Sequence, residues 1–474
     1  MIPDDILLAI FDFYVVRYQD LEFGEVAFDD QNAESRIESW QTLVHVCRRW
    51  RGLVFGSSRR LNLRLRWRPR TPPRKTLDVW PAFPLLIQGD VTEASVDNVI
   101  AELEHNDRIC QITLYFYTTS KIETLWTAMR VPFSELTGLK LSNQIQSIGP
   151  VIPDSFLGGS APRLQYLVLN SIPFPGLTRL LPSATHLAHL HLFSIPHSGY
   201  FSPEAMATCL TALTNLETLQ LRFESPQFRP DQENRHPLPP TLSVLPSLTR
   251  FWFKGVNEYL EKLVARIDAP RLCQFGTTFF NDIDFDTPEL IRFVSRSSTF
   301  KVLNGATVWF DSQAALFKLE TKAAGVEYFE VHILCRGLDW QLSSLAQICT
   351  TSIPLLSTIE NLFISERFDS QLDWKDNIGN TDWLELLLPF TAVKNLYLSK
   401  QFAPRVAPVL QEITRSITVG GRTEVLSNLQ NLYLEGFQPS GSVEEGIERF
   451  ISARQLADHP FAVSVFDWDR FGSD

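Results

Sequence analysis

The stretch "LETLQLR" (residues 216–222) places Leu216, Leu219 and Leu221 at spacings of three and two. Its last five residues alternate polar and apolar. They suit a half-buried strand with Leu219 and Leu221 on one face and Gln220 and Arg222 on the other. A lone strand of this kind cannot bury its own apolar face. The same apolar-x-x-apolar-x-apolar pattern recurs in "LTGLKLS" (136–142), "LQYLVLN" (164–170), "LAHLHLF" (187–193), "LTRFWFK" (248–254), "IENLFIS" (359–365), "VKNLYLS" (393–399) and "LQNLYLE" (429–435). Weaker versions lie at 272–280, 302–310 and 326–334. Where neighbouring units are clear, their final apolar positions are 23 to 36 residues apart. Repetition at such a period predicts a stacked array, in which each strand is followed by a returning helix or loop. The expected class is α/β, with a curved parallel sheet.

The expected organisation follows. Residues 1–58 form a short helical segment, and 59–109 hold a connecting strand, a basic linker and the first array elements. Residues 110–437 form the irregular solenoid. Residues 438–474 cap it with a helix (443–457) and a final strand (461–467). The stretches 224–240 and 370–382 read as exposed loops. The pattern resembles a leucine-rich repeat, in which an asparagine or cysteine usually follows the third leucine by three; here that residue is mostly absent. Ile172 and Glu224 stand there in two units, so the turns must be satisfied differently.

A chain of 474 residues is too long for one compact core, and 44% hydrophobic with 20% charged residues is ordinary globular composition. No apolar run of about 18 residues exists, so no membrane span is expected. "MIPDDILLAIFDF" lacks the basic start of a secretory signal. The six cysteines are scattered without a C-x-x-C, as in reduced cytoplasmic or nuclear proteins. The net charge of −11 hides an asymmetry. Residues 48–75 hold eleven Arg/Lys and no acid, so the remainder carries −22. That acidic body argues against general nucleic-acid binding, which needs a broad basic surface.

The N-terminus reads as a helix over 4–16, with Pro3 and the acids Asp4 and Asp5 at its start and Ile6, Leu7, Ile10, Phe11 and Tyr14 to one side. Residues 17–39 form an acidic stretch without a clear period. A second helix is expected over 40–54, where Trp40, Leu43, Cys47, Trp50 and Val54 share one stripe. Gly56 stands at a position favoured for a left-handed cap. "RRLNLRLRW" (59–67) alternates like a strand with Leu61, Leu63, Leu65 and Trp67 on one side, and "RPRTPPRK" (68–75) reads as a linker.

The N-terminal segment resembles an F-box. That family has Leu-Pro-x-Asp/Glu-Ile/Leu-Leu near its start and a later helix with Val-Cys-Arg-x-Trp. Ile2, Pro3, Asp5, Ile6 and Leu7 match the first motif, with Ile in place of Leu, and Val46, Cys47, Arg48 and Trp50 match the second. Followed by irregular repeats, the chain resembles fungal F-box proteins with divergent leucine-rich repeats. The resemblance implies a substrate-recognition subunit of a Skp–cullin–F-box ubiquitin ligase. Its partners would be a Skp-family adaptor, through it a cullin, and an unknown target protein. Carried over by position, Ile2, Pro3, Ile6, Leu7, Ile10, Leu43, Val46, Cys47 and Trp50 lie in or support the adaptor surface. The alternative is a repeat scaffold without a ligase role.

The sequence holds no Gly-rich phosphate loop, no G-x-S-x-G and no H-E-x-x-H, so neither an enzyme nor a bound cofactor is expected. His186, His189 and His191 cluster in "HLAHLHL", but no further ligand-type residue lies nearby, and a metal site is not expected. The target is expected on the concave face. There the middle strand positions place His191, Trp252, Phe363, Tyr397 and Tyr433, and flanking positions add Tyr166, His189, Arg250 and Lys254. Trp252 with Arg250, and Tyr397 with Tyr433, are the expected anchors.

Overall fold

The computed structural model describes residues 2–16, 39–58, 60–69, 82–145, 149–226, 242–280, 287–321, 327–352, 354–366, 380–418, 425–435, 447–452, 455 and 462–466. The chain divides into two compact units, Met1–Leu187 and Ala188–Asp474.

The first unit opens with helices α1 (Asp4–Val16), α2 (Ser39–Val46) and α3 (Arg48–Gly56). Five parallel strands follow in chain order: β1 (Leu65–Trp67), β2 (Leu85–Val91), β3 (Ile109–Phe116), β4 (Gly138–Asn143) and β5 (Tyr166–Asn170). Helices α4 (Val96–Leu103) and α5 (Ile122–Ala128) connect the strands. Their apolar faces form the core with the inward strand residues. The buried Trp126, for example, meets Phe116 at 5.6 Å and Phe156 at 5.8 Å between ring centroids.

The second unit holds an open sheet in the order β6, β7, β9, β11, β14, β13, β12, β15, β16, β17, β18. Their ranges are β6 His189–Ile195, β7 Thr218–Phe223, β9 Arg250–Gly255, β11 Gln274–Phe280, β12 Gly305–Phe310, β13 Ala314–Glu320, β14 Tyr328–Leu334, β15 Asn361–Glu366, β16 Asn395–Leu398, β17 Asn431–Glu435 and β18 Ala462–Phe466. The short strands β8 (Ser243–Val244) and β10 (Ile267–Asp268) pair separately. All eight strong repeats and the three weaker ones are strands. In each strong unit the leading apolar residue is buried, as are the two inward ones. Leu216 illustrates the role of the leading residue: its N–H closes a turn on the Leu213 carbonyl just before the strand.

The sheet departs from an all-parallel array at one place. β13 runs antiparallel to both β12 and β14. The chain skips two places after β11, and the β12–β13 hairpin with β14 fills the gap. Asp311 builds the hairpin turn: its Oδ1 accepts from the N–H groups of Gln313 and Ala314, both at 2.7 Å.

Several local expectations need correction. The helix expected over 40–54 is two helices. Cys47 is extended (φ −161°) and its Sγ accepts from the Trp50 N–H at 3.4 Å, so it starts α3. Cys47 is therefore exposed and off the buried stripe of Trp40, Leu43 and Val54. The end of α3 needs no left-handed glycine: the following Ser57 N–H bonds the carbonyls of Leu53 and Val54. Among the described residues of the expected 59–67 strand, the strand covers Leu65–Trp67, and Asn62 turns the chain before it with φ 45°. Even so, Leu61, Leu63, Leu65 and Trp67 are all buried as the alternation required. Residues 380–382, placed in a loop, begin helix α11 (Asn380–Leu387); α6 to α10 are Leu177–Leu180, Pro203–Leu210, Asn257–Val264, Pro288–Arg296 and Leu338–Ser352. After β5 and within β6, where the usual turn asparagine is missing, Ser171 (φ 54°) and Ser194 (φ 47°) make the left-handed step. The acidic stretch 17–38, the linker 70–81 and the loop segments 227–241 and 367–379 lie outside the described residues, as does much of the expected cap helix.

Candidate binding surfaces

Helix α1 is apolar on two sides. Leu7, Leu8 and Phe11 are buried beneath it, and Phe11 meets Trp50 edge-on at 4.8 Å. Ile6, Ile10 and Phe13, spaced four and three, form a second stripe that stays exposed, with Ile2 also exposed before the helix. Phe13 is 68% exposed. The arginine run explains how the helix is held. The Arg49 guanidinium donates to Asp4 Oδ1 at 2.5 Å and to the Ile2 carbonyl at 2.5 Å. Arg60 donates to Asp12 at 3.2 Å, and Arg51 to the Val44 carbonyl at 3.1 Å. Part of the basic segment is thus spent inside the fold.

The nine residues expected at the adaptor surface divide. Ile2, Pro3, Ile6, Ile10, Val46 and Cys47 are exposed. Leu7 (3% exposed) and Leu43 (6%) are core residues and can only support the surface from beneath. Trp50 is half-buried against Phe11. Phe13 was not among the nine; its spacing of seven from Ile6 was the available signal.

The second surface is the sheet face of the second unit that carries the middle repeat positions. Consecutive parallel strands joined by right-handed crossovers put their helices on one side. Leu219, Phe251, Leu396 and their equivalents are buried on that side. The opposite, open face is partly accessible: His191, Trp252, Phe363, Tyr397 and Tyr433 are half-buried, while Thr218, Gln220 and Thr307 are buried among their neighbours. One continuous row crosses it in register: His191, Gln220, Trp252, Gly276, Glu330, Lys318, Thr307, Phe363, Tyr397, Tyr433 and Ser464.

At one end of the row the rings of Phe363, Tyr397 and Tyr433 stack with centroids 4.2 and 4.4 Å apart and planes within 11° and 7°. Burial, with Tyr433 beside it, pushes the Tyr397 phenol up. One position earlier on the same face, Asn395 Nδ2 donates to Asn361 Oδ1 at 2.8 Å, and Asn431 Nδ2 to Asn395 Oδ1 at 2.8 Å. Neither Asn361 nor Asn431 was expected here, although "ENLFI", "KNLYL" and "QNLYL" share an asparagine at one position.

Trp252 stands elsewhere on the row. A Cβ at the in-register Gly276 would lie 2.6 Å from Trp252 Cδ1, so the indole lies across that glycine. Arg250 and Lys254 flank it on β9, and Lys254 sits 5.2 Å from the Phe280 ring centre. In register, Arg222 neighbours Lys254, and its guanidinium lies 5.2 Å from the Phe193 ring centre. Six strand steps separate Trp252 from Tyr397, roughly 29 Å at 4.8 Å per step. The two expected anchor pairs therefore lie well apart on the row. Tyr166 belongs to the first unit, half-buried on β5 in register with Gly138.

His189 and His191 both sit on the open face. His189 Nδ1 contacts Thr218 Oγ1 at 3.2 Å, and burial lowers its pKa. His186 is exposed. Among the described residues, no three His, Cys, Asp or Glu side chains converge as a metal site. None of the six cysteines is joined in a disulfide; burial pushes Cys209 up to about 11 and raises Cys110, Cys273 and Cys349, so these four stay thiols. No described helix is long and apolar enough to cross a membrane. The chain matches no protein-family model and no curated protein.

Proposed function

We propose that this chain is the substrate-recognition subunit of a Skp–cullin–F-box ubiquitin ligase. The N-terminal helices dock a Skp-family adaptor, the open sheet face holds a target protein, and a separate conjugating enzyme carries out ubiquitin transfer. The observation that carries the reading is the exposed stripe of Ile2, Ile6, Ile10 and Phe13, which overlaps the F-box-like motif. Apolar surface of this kind, kept in water by a helix whose other side is fully packed, marks a site that another protein covers. Arg49, which stands between the motif residues Arg48 and Trp50, also ties the second motif to the first by fixing the start of α1 through Asp4 and Ile2.

The test is titration of the full chain with a Skp-family adaptor by calorimetry. Association at micromolar concentration, abolished by Ile6→Glu with Ile10→Glu, supports the reading. Absence of association refutes it. It would leave the repeat scaffold without a ligase link, which uses the same open face. A Trp252→Ala variant should keep its fold and its adaptor while losing the captured target.

A further inference from the structure

The cations around Trp252 form a pattern with a definite ligand chemistry. The open-face positions of β6, β7, β9 and β11 include Arg222, Arg250 and Lys254 and no carboxylate. In a chain of net charge −11 this is a local reversal of sign. The first carboxylate along the central row is Glu330 on β14, and it is bonded to His332. Glu217 and Glu224 lie just beyond the two ends of β7.

The spacing matters as much as the sign. Arg250, Trp252 and Lys254 are alternate residues of one strand, so they project to the same face. At about 3.3 Å per residue, the two cations are roughly 13 Å apart with the indole midway. An extended peptide repeats its own side chains at the same interval. Arg222 beside Lys254 adds a second cation at that end. Trp252 has a glycine as its in-register neighbour on β11, so no side chain from that position covers the ring.

We infer that the face around Trp252 binds an extended acidic protein segment of the form acid-x-apolar-x-acid. Its apolar side chain lies on the indole and its carboxylates meet Arg250 at one end and Lys254 with Arg222 at the other. Arginine suits a carboxylate because its planar donors match both oxygens. A nucleic acid fits less well. Three cations in a strongly acidic chain neutralise few phosphates, and counterion release is the main source of that affinity. The inference specifies the target class for the open face read above as the target surface, and it is independent of the adaptor.

The test uses the full chain and fluorescence anisotropy. The probe is a fluorescein-labelled glycine–serine nonapeptide with a central phenylalanine and a glutamate two positions to either side. Saturable binding at micromolar concentration that weakens with salt is expected. Arg250→Glu with Lys254→Glu should weaken it roughly tenfold or more, with the circular dichroism spectrum unchanged. Trp252→Ala should also weaken it, and Tyr397→Ala should leave it unaltered. Equal affinity for the lysine counterpart, or for a peptide with both glutamates moved to its N-terminus, overturns the inference. So does binding of only a phosphoserine version, or tighter binding of a nine-residue oligothymidylate. A chain that binds the peptide but no adaptor refutes the ligase reading and leaves this one standing. The Ile6→Glu, Ile10→Glu variant should bind the peptide normally.

Discussion

Glu102 gives a prediction that can be worked through from its surroundings. It lies in the last turns of α4, fully buried, and neither carboxylate oxygen has a hydrogen-bond partner among the described residues. The nearby C-terminal end of the helix, where carbonyls point outward, further disfavours a negative charge. Burial raises its pKa from 4.5 to about 7, with Arg108 pulling in the opposite direction. The sign follows directly. The folded state holds the proton more tightly than the unfolded chain, so Glu102 is least costly below pH 4.5, and stability is lost as pH rises toward about 7. At about 1.4 kcal/mol per pH unit, the full loss is on the order of 3 kcal/mol. Glu102→Gln removes the titration while keeping the shape. Its amide is still buried, so its stability is lowered by a constant amount, and the slope with pH is the quantity to compare. The assay is hydrogen exchange at the α4 amides together with urea denaturation of the full chain from pH 5 to 8. Wild type should lose stability relative to the variant across that range and level off above about pH 7. Parallel curves for the two proteins would refute the idea that Glu102 is held uncharged.

Leu7→Ala should cost about 2–5 kcal/mol of stability because Leu7 is buried in the fold. Ile10→Ala should leave thermal denaturation unchanged and weaken adaptor binding by about 1–3 kcal/mol. Calorimetry and melting curves on both variants separate the two roles. Leu219→Ala and Leu396→Ala, each removing a fully buried side chain, should each cost about 2–5 kcal/mol in chemical denaturation. Asn395→Ala breaks hydrogen bonds to both Asn361 and Asn431 and should cost about 1–3 kcal/mol in the same assay.

The strands were legible in the sequence because the repeat records two separate physical needs. The two inward residues face the core, and the leading one closes and buries the turn that brings a crossover back to the sheet, as Leu216 does on Leu213. That also explains why β13 was missed. An antiparallel strand entered from a three-residue turn has no crossover to bury, so Ser312 stands where the leading apolar residue would be. Its cue was the turn-forming Asp311, not a repeat. The break at Cys47 was hidden for a different reason. Trp40, Leu43 and Val54 stay buried across it, so the stripe keeps its spacing while the backbone does not remain helical. Exposure was the least legible property of all. The first-helix residues Ile6, Leu7, Ile10 and Phe11 read as one apolar side, yet the helix divides them into a packed pair and an exposed pair. Only the positions of α2 and α3 decide which pair is which.

The two aromatic clusters of the open face call for different treatment, although they share one row. Phe363, Tyr397 and Tyr433 stack on each other, and the asparagines beside them bond to each other. In-register ladders of this sort stabilise a parallel sheet by themselves. A ligand contacting the middle ring, Tyr397, gains only its outer edge, because both of its faces already have partners. Trp252 differs, because its in-register neighbour on β11 is a glycine and the residues two positions away on its own strand are cations. In the proposed reading, recognition therefore centres on Trp252, while Tyr397 and Tyr433 chiefly hold the later strands in register. The same physics orders the single variants. Tyr397→Ala should be the more costly to stability, since it opens both stacked contacts at once. Trp252→Ala should be the more costly to binding.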